Sequence, residues 1–121
     1  MAGRLGTNAD VLITESALGR ILETIDSMLI ESDNAGVLLG GEFSSDDNGE
    51  FFVIDGITEF SPVGLCVGSS EGGLEPSDQD LALFKRNMEK GILMKADVYA
   101  HSFSFYKIGD TVEDATVLFR E

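Results

Sequence analysis

The chain has 121 residues, 43% hydrophobic and 25% charged, a composition that supports one folded core and argues against wholesale disorder. Its 22 acidic and 8 basic side chains give a net charge of −14, which repels phosphate backbones and anionic lipid, so neither nucleic acid nor a membrane surface is an expected partner. The lone Cys66 leaves no intrachain disulfide, and no apolar run reaches the roughly 18 residues of a membrane helix, so a cytoplasmic location is expected.

MAGRLGTNAD, small and polar, reads as a loose tail over residues 1–10, leaving 11–121 as a single domain. VLIT at 11–14 is a short β-type run. Ser16 then offers an N-cap to an apolar series, Leu18, Ile21, Leu22, Ile25, Met28 and Leu29, whose intervals of three and four predict a helix over about 16–31.

AGVLLGGEF at 35–43 reads as a buried strand. The Asn48-Gly49 pair predicts a hairpin turn into FFVIDGITEF at 51–60. Residues 61–75, SPVGLCVGSSEGGLE, hold four glycines and a proline and read as a loop. Ser77 as N-cap, Asp78 and Asp80 in the first turn, and Leu81, Phe84 and Met88 on one face predict a second helix over about 78–90, ended by Gly91.

ILMKADVYAHSFSFY at 92–106 reads as one strand at or near the sheet centre. IGDTVED turns the chain, and ATVLFRE closes it as a strand or a short helix. The sum is an α/β chain of the α+β kind, a mixed central sheet flanked by two helices.

His101, the only histidine, would share a strand face with Phe103. A half-buried imidazole with one hydrogen bond is the plain reading, and metal binding is the sharper one. For Asp110, Glu113 and Asp114, turn and cap chemistry competes with ligation, because Thr111 and Asp114 also have capping-box spacing. Other sites fit less well. The stretch 44–50 lacks the alternating oxygen ligands of a calcium loop, glycines 64, 68, 72 and 73 lack phosphate-loop spacing, and Cys66 has no helix N-terminus to make it a thiolate partner for His101.

The stretch from His101 to Asp114 resembles the signature of the JAB/MPN family of JAMM metalloproteases, which is His-x-His, seven residues, then Ser-x-x-Asp. His101-Ser102-Phe103 stands at His-x-His, residues 104–110 fill the gap, and Thr111 to Asp114 stands at Ser-x-x-Asp. Upstream, Asp33-Asn34-Ala35-Gly36-Val37-Leu38-Leu39-Gly40 is similar to the segment that carries the family's catalytic glutamate three residues before a glycine, with Glu31 as a nearby substitute. The element order is also similar over roughly 11–114.

The resemblance implies an MPN/JAB-like fold with cytidine-deaminase-like layering. It further implies a zinc held by His101 and Asp114, Asp33 at the general-base position and Thr111 at the oxyanion hydroxyl. Phe103 replaces the second histidine and Ser104 the proline after it, so the family's three protein ligands are reduced to two. The expected function is therefore a non-catalytic or weakly metal-binding interaction scaffold, with no cofactor or with Zn, for a protein or ubiquitin-like partner. The alternatives are a zinc isopeptidase or peptidase acting on ubiquitin-like conjugates, and a Roadblock-like scaffold that dimerises through a continuous intersubunit sheet. Homo-oligomerisation stays open.

Overall fold

The computed structural model describes residues 9–46 and 49–120. In chain order these form β1 (Val11–Thr14), α1 (Glu15–Leu29), β2 (Asn34–Asp46), β3 (Gly49–Ile57), β4 (Gly64–Ser69), α2 (Asp78–Asn87), β5 (Gly91–Asp97), β6 (Ser102–Ile108), β7 (Val112–Asp114) and β8 (Val117–Arg120). The strands make one mixed sheet in the order β7-β6-β5-β4-β2-β3-β1-β8. β7 pairs with β6 and β8 with β1, although only Ala115 and Thr116 separate them in sequence. The sheet therefore curls until its ends meet, with Phe103 and Phe119 edge to face at 5.7 Å between ring centroids.

α1 packs on the concave face. Its N-cap is Thr14, whose hydroxyl accepts the Ala17 N–H at 3.1 Å, and its buried stripe of Ala17, Ile21 and Ile25 meets Val11, Ile13, Leu39, Ile54, Met94 and Phe105. α2 packs on the other face, where fully buried Phe84 joins Leu65, Val67, Leu93 and Ile108. Its start is fixed as the sequence predicts. Ser77 and Asp80 form a reciprocal capping box, and Lys85 at the far end donates to the carbonyls of Glu89 and Gly109.

The hairpin of β2 and β3 forms as expected, though Asn48 of its proposed turn lies outside the described residues. The loop expected at 61–75 is instead half strand: β4 is buried and lies between β2 and β5. Its glycines serve close approach. A Cβ at Gly64 would meet the Ile92 carbonyl oxygen at 2.5 Å, and one at Gly68 would meet Ile25 of α1 at 2.7 Å.

The strand expected at 92–106 is two strands, β5 and β6, joined by a turn over 98–101. The carboxylate of Asp97 bends the chain by accepting the N–H groups of Tyr99 at 3.1 Å and Ala100 at 3.0 Å. Gly91, expected to end the second helix, opens β5, and that helix stops at Asn87. The chain end, left open between strand and helix, is strand β8.

Most of the tail expected at 1–10 lies outside the described residues. Ala9 is buried, however, and the Asp10 carboxylate accepts the Thr116 N–H at 3.0 Å and faces Lys107 at 3.4 Å. Both residues are tied into the sheet. No described helix is long and apolar enough to cross a membrane.

Candidate functional site

His101 is an exposed turn residue with φ 55°, so it shares no strand face with Phe103. Phe103 begins a second departure from the expected motif, since its ring packs into the core against Phe105 and Phe119. Thr111 lies beyond the other end of β6, exposed, with its hydroxyl donating to Glu113 at 3.0 Å. At about 3.3 Å per residue, the seven residues of β6 hold His101 and Thr111 roughly 20 Å apart.

Asp114 is exposed on β7 opposite Tyr106, five residues along β6 from His101, or roughly 15 Å. Two ligands of one zinc must each come within about 2.0–2.2 Å of it. His101 and Asp114 are not brought to that distance. Asp33 sits just before β2, three strands across the sheet from His101. It pairs elsewhere: its carbonyl accepts the Ser70 N–H at 2.8 Å, and its carboxylate accepts the Ser70 hydroxyl at 3.4 Å.

What the fold does bring together lies where β2 and β4 meet the start of α2. A cleft of about 150 Å³ is lined by Asn34, Gly36, Val67, Gly68, Asp80 and Leu83 among others. Gly36 opposes Val67, Val67 opposes Lys95, and Lys95 opposes Ser104, so these positions form one row on the α2 face of the sheet. Lys95, 6% exposed, is the buried charged residue of the described core, and its ammonium donates to the Asp80 carboxylate at 2.5 Å. Burying an ammonium is tolerable only with such a partner. Asp80 thus serves two ends at once, with one oxygen accepting both the Ser77 N–H at 2.9 Å and the Lys95 ammonium.

Beside this cleft, residues 70–73 are held by Asp97, whose carboxylate accepts the Gly73 N–H at 2.8 Å. That bond first, and then the one from Ala100, lower the Asp97 carboxyl below its ordinary value, with burial opposing and Tyr99 assisting. Because the folded pKa is depressed, the stabilisation is complete above the unfolded value of about 3.9 and disappears as pH falls through the folded one. Asp97→Asn is expected to flatten the acid limb of the stability curve below about pH 4. Urea melts from neutral to strongly acid pH check this, and an unchanged acid limb would remove Asp97 as its cause.

Cys66, fully buried under α1, is no nucleophile: burial pushes its thiol far up, against a smaller opposing pull from Lys95.

Several solved structures share this architecture. Protein DSY2949 from Desulfitobacterium hafniense matches with a TM-score of 0.68 at 14% identity, over 92% of this chain and 93% of that one. The structure described as JAMM, a metalloprotease-like zinc site in the proteasome and signalosome, matches at 0.58 and 23% identity, over 89% and 97%. AF2198, a JAB1/MPN domain protein from Archaeoglobus fulgidus, matches at 0.57 and 23%, over 89% and 96%. No protein-family model and no curated protein sequence matches the chain. The fold is that of the JAB1/MPN domain proteins: a mixed curled sheet with two helices.

Within that fold, the signature spacing has a second reading in this sequence. Val67-Gly68-Ser69, the seven residues 70–76, and Ser77-Asp78-Gln79-Asp80 keep the same spacing and the Ser-x-x-Asp, with Val67 and Ser69 at the two histidine positions. This register runs from β4 through the loop to the α2 capping box, and Asp33 lies at its Ser70. The Ser-x-x-Asp of α2 was the available signal. The chain's one histidine belongs to the other register.

Among the described residues, no group of three or more His, Cys, Asp or Glu side chains could hold a metal. The second register does not fit zinc either. Val67 has no lone pair to donate, Ser69 offers a hydroxyl, and the Asp80 oxygen already carries an ammonium.

Proposed function

We propose that the chain is a non-catalytic MPN/JAB-like domain acting as a protein-interaction scaffold. The observation that carries this reading is the Lys95–Asp80 pair: the carboxylate at the signature's aspartate position is engaged by a fixed positive charge, with Val67, opposite Lys95, at the first histidine position and Ser69, at the end of β4, at the second. A buried ammonium and a divalent cation compete for the same oxygen, and the ammonium is covalently tethered. The metal-dependent peptidase reading would need to displace Lys95 and find two further donors. Support for a protein partner comes from the neighbour described in the proteasome and signalosome, and from the absence of any composition favouring nucleic acid.

Metal analysis of chain purified without chelator, together with an assay on a ubiquitin-like fusion in added zinc, tests the proposal. The expected result is zinc well below one per chain and no cleavage. One tightly held zinc per chain, with cleavage abolished by Asp80→Ala or by His101→Ala, would overturn it.

A further inference from the structure

The open mouth of the curled sheet lies at the end away from His101, where β1, β4 and β5 begin and β6 ends. A cleft of about 560 Å³ opens there, walled on one side by the arm of β2 and β3. Its apolar surface includes Phe43 and Phe52, a cross-strand pair with ring centroids 4.9 Å apart, and Phe43 is 51% exposed. An aromatic ring left half in water at the mouth of a cavity is the usual form of an anchor surface.

Charge selects the occupant. Four carboxylates line the cleft, Asp10, Glu50, Asp110 and Glu113, against the two ammonium groups of Lys90 and Lys107. Lys107 is already paired with Asp10. The remaining carboxylates of Glu50, Asp110 and Glu113 have no ion pair among the described residues, and they surround an apolar floor in a chain of net charge −14.

We propose that this cleft docks an arginine-bearing apolar segment of a protein partner. The guanidinium would lie over the Phe43–Phe52 rings and donate to the carboxylates around them, while a flanking apolar side chain covers Val63. Arginine suits the site better than lysine because its planar cation stacks on a ring and donates to a carboxylate with two N–H groups together. Lys90 at the same cleft disfavours a second adjacent cation and gives the segment a direction. The inference rests on the scaffold reading and names the kind of partner that scaffold takes.

The test is a backbone-amide NMR titration of the full chain with acetyl-Leu-Arg-Leu-amide, and with acetyl-Leu-Glu-Leu-amide as its counterpart. The arginine peptide should give saturable shifts at Phe43, Phe52 and Val63. These should weaken by about fivefold on moving from low to physiological salt, and by about tenfold in Glu50→Gln/Glu113→Gln, a surface variant that leaves the core intact. Equal response to both peptides, shifts located elsewhere, or broadening of the same amides with protein concentration alone, as a second copy would give, overturns the docking. Zinc-dependent cleavage alongside arginine-peptide binding would overturn only the scaffold reading. Absence of both would overturn only this one.

Discussion

Lys95→Ala is expected to destabilise the fold by about 3 kcal/mol in urea denaturation, because it strands the Asp80 carboxylate in a site where both side chains are largely withdrawn from water. The loss should not fall on Lys95 alone. Asp80→Ala removes the same pair and also one half of the α2 capping box, so its cost should be similar or somewhat larger. The double replacement Lys95→Met/Asp80→Leu removes both charges and refills the space, and its cost should be well below the sum of the two single changes. A Lys95→Ala change within about 0.5 kcal/mol of wild type would show that the pair is effectively solvated. The tethered cation would then cease to support the proposal that this cleft takes no metal.

Gly41→Ala should cost about 3 kcal/mol or more, for a reason unrelated to charge. β2 and β3 change register at Gly40/Gly41, where Gly41 opposes Ile54 and Asp55 is left as the extra residue. At Gly41 φ is 153°, and a Cβ there would stand 1.7 Å from the Val53 carbonyl oxygen. No rotamer relieves a clash between two backbones, so the strands must separate. The arm beyond the irregularity carries Phe43 and Phe52, and arginine-peptide binding should fall with stability. Gly19→Ala is the matched control: it lies mid-helix in α1 with nothing within 4 Å of the new methyl group, and it should be neutral or stabilising by up to about 1 kcal/mol. If Gly41→Ala unfolds at the same urea concentration as Gly19→Ala, the irregularity is not a constraint on the arm.

The two helices were legible because their signals are local. A 3.6-residue apolar period decides α1, although its cap is Thr14 and not Ser16, which lies in the first turn, while Ser77 with Asp80 decides α2, before any distant residue is considered. The hairpin of β2 and β3 was legible for the same reason. β4 was not, because its glycines mimic loop composition, yet each is required by a neighbour remote in sequence, Ile92 beside Gly64 and Ile25 over Gly68. The break between β5 and β6 was hidden in the opposite way: β-type residues run through 92–106, and one carboxylate, Asp97, turns the chain.

The candidate site divides along the same line. Sequence alone determined the MPN/JAB-like layering and the acidic balance of the chain, and it offered a metalloprotease-like spacing in two registers. Tertiary structure decided which register of that spacing is built into one place. It put His101 on an exposed turn and Asp114 on an outer strand, and gathered Gly36, Val67, Asp80 and Lys95 from β2, β4, α2 and β5 around one cleft. The physical reason is that a motif's spacing fixes only separation along the chain. Whether its side chains converge depends on strand pairing and on which buried charge finds a partner, and both are settled by residues far outside the motif.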